Sequence, residues 1–367
     1  MDNTYTPKTE YALTFVVPCY NCESTLDRTV DSLLNQKLST INYLNQVDRD
    51  NNTNYQIVLV DDGATDFTPY IIDNYAENHT NVKAIHKENG GLVSAWKAGV
   101  NNADGDYIAF CDADDYIDSG FVNVIKNITT EYQPDMITFG MTYEYDNGEV
   151  ITEDTRLEAG VYNRYQIEQK IFPILLSNGD MQSELIGSSR CNKVFKKNLL
   201  LAILDDVPEA VSFGEDDLTS FAAVLNSDSM YSIREFYPYH YVRNAGSMIG
   251  AYDDKAFVKI DKLYNELKKI ADKYNYNHID QVQREILSIL FLYIKKEICK
   301  NPYGYKNIKE HIKDIIVGDT YTVCYNIDAI KAYGKAKKIF AYLIAKKHLW
   351  LAYIITKGIE KIRGRNV

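Results

Sequence analysis

Between Ala12 and Cys111 short apolar, β-branched runs alternate with longer segments of helical spacing. Ala12–Pro18, Tyr55–Val60, Val82–His86 and Asp106–Cys111 predict four strands, and Ser24–Gln36, Asp66–Ala76 and Leu92–Asn101 predict the helices between them. Ser24 stands where an N-cap is wanted. Strands that are nearly all apolar, separated by helices, predict an α/β fold with a mostly parallel, doubly wound sheet covered on both faces. The polar stretch from Lys37 to Asn54 is longer than such units need and predicts an insertion loop.

Further on, the pattern predicts a helix over Asp118–Tyr132, a strand over Met136–Tyr143, a turn at Asp146-Asn147-Gly148 and a helical Arg164–Leu176. Asp216–Leu225 reads as a helix opening with acids, and Tyr231–Arg243 as extended chain. From Ala256 onward the chain is helix-like and rich in Lys, Tyr and Ile. This places a boundary near Asp253, with an α/β domain over 1–252 and a helical C-terminal region over 253–367.

Each of the first four strands runs into a small polar cluster: Pro18 to Cys22, Asp61-Asp62-Gly63, His86 to Gly91, and Asp112-Ala113-Asp114-Asp115. In a doubly wound sheet the ligand crevice lies beyond the carboxyl ends of the strands, so these clusters should converge. Carboxylates two residues apart at a strand mouth repel unless a cation or proton sits between them, and Asp112 with Asp114 offers the oxygens that a hard divalent metal prefers. A solvated loop or helix cap is the plainer reading of the same residues. Asp61 and Asp62 suit a helix-capping loop, a receiver-type acidic pocket, or an acceptor for a pyrimidine imide or a ribose. Asn89-Gly90-Gly91 lets backbone approach a ligand closely and opens a helix able to meet phosphate. The acids Glu215, Asp216 and Asp217 suit a helix dipole, or a general base.

Charge sharpens this picture. The net charge of −11 argues against a nucleic-acid binder, which normally shows a basic face. From Lys331 to Val367 eight Lys and two Arg stand against one Glu, so this end carries about +9 and the remainder about −20. Its apolar runs Ile339–Ala345 and Leu349–Ile355, broken by Lys346-Lys347-His348, are too short to span a bilayer. They suit either packing on the catalytic domain or peripheral contact with an anionic membrane. Met1 to Glu10 lacks the order of a secretory signal, and the six cysteines show no metal-ligand spacing, so a cytoplasmic protein is expected. Cys19 and Cys22 form a CxxC without the surroundings of a redox motif.

Taken in order, Phe15 to Asn21, Val60 to Gly63, Asn89 to Leu92, Ala103 to Ile108, Asp112 to Asp115 and Glu215-Asp216 resemble glycosyltransferase family 2, inverting enzymes of GT-A fold. The resemblance covers roughly residues 10 to 250 and implies a UDP-sugar donor. It places Pro18, Cys19, Tyr20, Asn21 and Asp62 at the nucleotide, and Asn89, Gly90 and Lys97 near the phosphates. Lys97 stands in for an Arg that the family often carries after the glycines. Asp112, Ala113 and Asp114 form the DxD motif, with Asp114 and its partner Asp112 on Mn2+ or Mg2+. Asp216 is the implied catalytic base. Arg190 and Lys193 would lie near the acceptor, and Tyr239 to Met248 would close over the diphosphate through Arg243 and Ser247, with His240 a further metal candidate. Asp115 is expected to be structural. The implied acceptor is a hydroxyl of a glycan, a teichoic-acid-type polymer or a lipid-linked precursor in surface polysaccharide assembly. Two other readings are a haloacid-dehalogenase-type phosphatase, which would place its DxD nearer the chain start, and a non-catalytic sugar- or nucleotide-binding scaffold of the same fold.

Overall fold

The computed structural model describes residues 11–36, 55–176, 186–243, 252–325, 330–331 and 333–363. The predicted insertion at Lys37–Asn54 and the candidate Ser247 lie outside the described residues. Chain contacts divide the described residues into two units, one of 11–171 and 186–243 and one of 172–176 and 252–363. Residues 172–176 thus join the second unit although they precede the predicted boundary.

The first unit opens with β1 (Leu13–Cys19), α1 (Leu26–Leu34), β2 (Tyr55–Asp61), α2 (Thr68–Asn78), β3 (Val82–His86), α3 (Leu92–Asn102) and β4 (Tyr107–Phe110). These four strands pair in parallel in the order β3-β2-β1-β4. Every residue of β1, β2 and β4 is buried, as expected for strands sandwiched between helices. Gly99 of α3 lets that helix lie on β1, where a Cβ would come 2.3 Å from the Val16 Cγ1. Helix α1 is capped at Thr25 without a side-chain bond, so Ser24 does not act as the N-cap.

Past β4 the chain departs from simple alternation. After β5 (Tyr116–Ile117) and α4 (Phe121–Tyr132), the predicted strand over Met136–Tyr143 is two strands, β6 (Met136–Thr138) and β7 (Met141–Tyr145), in different sheets. The break falls at Gly140, where a Cβ would lie 2.5 Å from the Tyr237 ring and 2.6 Å from the Glu153 carbonyl. Strand β8 (Val150–Glu153) returns as the predicted hairpin, with Gly148 at φ +80°. After β9 (Gly160–Asn163), the predicted helix from Arg164 is only α5 (Arg164–Gln166), followed by a π turn and a 3-10 turn.

Strand β10 (Lys193–Lys196) enters the main sheet antiparallel between β4 and β6, and leads through α6 (Lys197–Ile203) to α7 (Glu215–Asn226). The extended Tyr231–Arg243 is likewise two strands, β11 (Ser229–Ser232) in the main sheet and β12 (Tyr239–Arg243) in the small one. The result is an eight-stranded mixed sheet, its parallel half continued by β10-β6-β11-β9, and a four-stranded sheet β5-β12-β7-β8.

The second unit is helical: α8 (Ala256–Lys273), α9 (Ile279–Lys300), α10 (Gly304–Val317), α11 (Asp319–Cys324), α12 (Lys335–Ala345) and α13 (Leu349–Arg363). Its core includes Ile260, Leu263, Leu267, Ile286, Leu290, Ile294 and Ile298, recurring every three or four residues along α8 and α9. No helix among the described residues is long and apolar enough to cross a membrane.

Candidate active site

The ends of β1, β2 and β4 and the start of α7 carry the predicted chemistry. At β2, Asp62 is 2% exposed, and its carboxylate accepts from the Gly90 amide at 3.0 Å, the Gly91 amide at 2.8 Å and the Lys87 ammonium at 2.6 Å. A single buried acid therefore shapes the whole Asn89–Gly91 turn. A nucleobase reaching Asp62 would share it with these donors. Gly63 makes the close approach possible: it has φ +71°, and a Cβ would stand 2.8 Å from the Asn89 amide nitrogen. At β1, Asn21 sits at φ +48° and accepts from the Thr65 amide at 2.8 Å, which ties the Pro18–Asn21 turn to the Asp61–Asp66 loop. Cys19 is buried and Tyr20 stands out at the surface.

Asp61 is spent locally. It accepts from the Ala64 amide at 2.8 Å and meets His86 Nδ1 at 2.9 Å, while His86 Nε2 meets Asp73 at 3.0 Å. The bond to Asp61, opposed by burial and reinforced by Asp73, lifts the His86 pKa above its ordinary 6.5. A raised folded-state pKa adds stability that is full below the unfolded value and lost as pH rises through the folded one. Thermal melts between about pH 5.5 and 8.5 should therefore show a decline above about pH 6.5 that His86→Gln flattens.

The acid turn after β4 is held from α1. The Thr29 hydroxyl lies 2.7 Å from the Asp115 carbonyl and 3.0 Å from that of Ala113, and Arg28 donates to the Asp114 carbonyl. Asp115 is buried. Its carboxylate accepts from the Tyr239 hydroxyl at 2.5 Å and the Val242 amide at 2.8 Å, and burial, then the Asp112 charge, push it up to about 8. This acid joins the turn to β12 and is structural. Asp114 is exposed, yet crowding by the surrounding chain and then the Asp112 charge raise its carboxyl above the usual range. Among the described residues no three His, Cys, Asp or Glu side chains form a metal cage, so an ion on Asp112 and Asp114 would need oxygens from its ligand.

The residue that joins the site is Arg190. It is 1% exposed and donates to Asp112 at 2.6 Å through Nη2 and to Asp216 at 2.5 Å through Nη1, with its guanidinium 5.7 Å from the Phe110 ring centroid. One planar fork thus spans the DxD motif and the start of α7. Its loop is fastened from two sides. Lys193, wholly buried, donates to the carbonyls of Gly187 at 2.8 Å and Ser189 at 2.5 Å and to the Asn192 side chain at 2.9 Å, and Ser220 of α7 donates to the Ser188 carbonyl at 2.6 Å. Lys193, expected at the acceptor, is instead the post on which the Arg190 loop is built. Glu215, beside Asp216, is raised by burial and then by the Asp216 charge.

Three other candidates have partners within the protein. His240 meets Glu144 at 2.8 Å and Asp118 at 3.1 Å with its two ring nitrogens and stacks on Tyr116 at 4.2 Å, so it could reach a metal only by breaking one of these pairs. Arg243 lies 5.1 to 5.9 Å from the ring centroids of Tyr145, Tyr143 and Tyr241. Lys97 on α3, its pKa lowered by burial, has Glu209 and Asp205 as its electrostatic neighbours. Tyr239 was not singled out from sequence; its hydroxyl also accepts from the Asp112 amide at 3.2 Å. A buried tyrosine at the start of a five-residue strand carries no local signal of such a role.

A parallel β3-β2-β1-β4 half-sheet, with an Asp-Ala-Asp turn at the exit of β4 bridged to an acid at a helix start, is the architecture of a GT-A fold. The model of glycosyl transferase family 2 matches residues 14–200, and the chain belongs to that family. It is 28% identical over 228 residues to the glycosyltransferase GlyA of Streptococcus pneumoniae, an alignment covering 62% of this chain and 30% of GlyA. It is 24% identical over 283 residues to the poly(ribitol-phosphate) beta-glucosyltransferase of Bacillus spizizenii, covering 76% of this chain and 39% of that one. The chain thus spans about a third of the length of these curated relatives. Among solved structures, S. aureus TarS 1–349 in complex with UDP-GlcNAc superposes with a TM-score of 0.61 at 18% identity, covering 96% of this chain and 92% of TarS 1–349. The phosphatase alternative falls with the family match.

Proposed function

We propose that this chain is an inverting, metal-dependent glycosyltransferase that moves a sugar from a UDP-sugar to a hydroxyl of a glycan, a teichoic-acid-type polymer or a lipid-linked acceptor in surface polysaccharide assembly. The observation that carries this is the Arg190 bridge, which sets the diphosphate-side acid Asp112 and the base candidate Asp216 on one guanidinium. The poly(ribitol-phosphate) relative and the TarS complexes with UDP and UDP-GlcNAc favour the donor and the polymer class.

The Pro18–Asn21 and Asn89–Gly91 turns, the latter held by Asp62, form the nucleotide end. Asp112 and Asp114 would hold Mn2+ or Mg2+, which when bound neutralises charge on the departing nucleoside diphosphate. Asp216 takes the proton of the attacking hydroxyl. Arg190 holds its Oδ1, and among the described residues no donor meets Oδ2, which is left to face the acceptor. A lone carboxylate base with in-line attack inverts the anomeric carbon, because no second carboxylate is needed to form a covalent sugar intermediate.

The test is UDP release from a panel of UDP-sugars with Mn2+, Mg2+ or excess EDTA. Chelation is expected to cut release by about a hundredfold or more, the loss of a metal that carries much of the leaving-group charge. Release indifferent to EDTA would remove the metal from the reading, and no release from any donor would favour the non-catalytic scaffold.

A further inference from the structure

Helix α13 is apolar on both sides. Its inner side holds Leu349, Ala352 and Thr356, all buried, and is fastened to α9 by Lys357 donating to the Cys299 carbonyl at 2.9 Å and by the Glu360–Lys295 pair at 2.8 Å. The outer arc carries Trp350, Leu351, Ile354, Ile355, Ile359 and Ile362, which are 39% to 87% exposed. At 3.6 residues per turn these six fall within half the circumference, in the company of Gly358 and Lys361 alone. A soluble helix reverses this order and turns its polar side outward. On α12, Ile339 and Tyr342 are exposed as well, at 56% and 57%.

The rim of this face is cationic. Lys335, Lys338, Lys346 and Lys347 are exposed, as is Lys361 within the arc, and among the described residues none of them is in an ion pair. The one acid of α12 and α13, Glu360, is already paired with Lys295. Trp350 of the arc and Tyr353 beside it, stacked at 5.9 Å and both packed against Tyr305 of α10, are residue types that favour the boundary between headgroups and acyl chains.

We propose that the outer face of α12 and α13 docks on an anionic lipid bilayer, lying in the plane of the surface. Three features favour lipid over a protein partner. The stripe runs the length of α13 as exposed apolar side chains; the lysines around it lack counter-charge; and the rest of the chain carries the opposite sign, so an anionic surface attracts this end and repels the remainder. At about 1.5 Å per residue the fifteen residues of α13 reach about 22 Å, which fits lying in the interface and not crossing it. This goes beyond the transfer reaction and does not depend on it, since none of these residues belongs to the unit that holds Asp112, Arg190 and Asp216.

The experiment is sedimentation of the full chain with vesicles of phosphatidylcholine alone or with about 30% phosphatidylglycerol, at low and high salt. Ultracentrifugation without lipid runs in parallel. The expected result is salt-sensitive binding to the anionic vesicles, reduced at least about tenfold by I354E/I355E and several-fold by K346E/K347E. All four positions are exposed, and unchanged thermal melts will show that each variant is folded. Equal binding to neutral vesicles would overturn the anionic assignment. Absence of vesicle binding would overturn the proposal, and a dimer lost in I354E/I355E would name a second copy of the chain as the occupant instead.

Discussion

Replacing Asp216 by Asn is expected to reduce sugar transfer by about a hundredfold to ten-thousandfold, the range for loss of a positioned general base, while UDP-sugar KM changes little. Asn keeps the size of the side chain and can still accept from Arg190, so the Nη1 contact survives in outline. What it loses is the capacity to take a proton. A kcat defect with intact donor binding is therefore the signature, read by initial rates of UDP release against donor concentration. A proportional rise in KM without loss of kcat would move Asp216 from chemistry to binding.

Replacing Arg190 has the next largest expected effect, and it falls on stability as well as rate. The guanidinium is buried and engages carboxylates about a third exposed, so Arg190→Met leaves two acids facing each other without their shared cation. Breaking a buried pair costs about 3 to 5 kcal/mol, and the exposure of both acids argues for the lower end, about 3 kcal/mol. For a unit of this size that lowers Tm by about 6 to 12 °C. Arg190→Lys keeps the charge but cannot span both acids as a fork, so it should preserve more of the Tm while kcat falls about tenfold or more. Equal behaviour of Lys and Met would mean that charge placement between Asp112 and Asp216 is unimportant. The pair separates a residue that positions the base from one that only fills the core.

The parallel half of the sheet was legible because its signals are local. Apolar β-branched runs mark β1, β2 and β4, and the helices between them repeat apolar residues every three to four positions. The strand exits and their acids followed from the general rule for parallel sheets. Asp115 was read as structural, and its bonds to Tyr239 and Val242 are those of a structural acid.

The second half hid for physical reasons. Lys-Val-Phe-Lys at 193–196 is too short to declare a strand or its direction, and only the space between β4 and β6 decides that it runs antiparallel. Gly140 looked like one residue in a strand, and its need for space beside Tyr237 is a contact ninety-seven positions away. Arg190 and Lys193 were both read as cations near a ligand, since composition cannot distinguish a cation aimed at phosphate from one committed to buried carbonyls. The bridge from Asp112 to Asp216 spans residues 112, 190 and 216, which no local pattern links.

In the proposed mechanism Asp114 serves the diphosphate through a metal while Asp216 serves the acceptor, on opposite ends of one Arg190-bridged site. Calorimetric titration of UDP in the presence of Mn2+ tests this most directly, with the wild type beside Asp114→Asn and Asp216→Asn. UDP binding is expected to be lost or weakened at least about tenfold by Asp114→Asn and kept by Asp216→Asn, even though both cut transfer by about a hundredfold or more. Loss of UDP binding in both variants, or in neither, would contradict it.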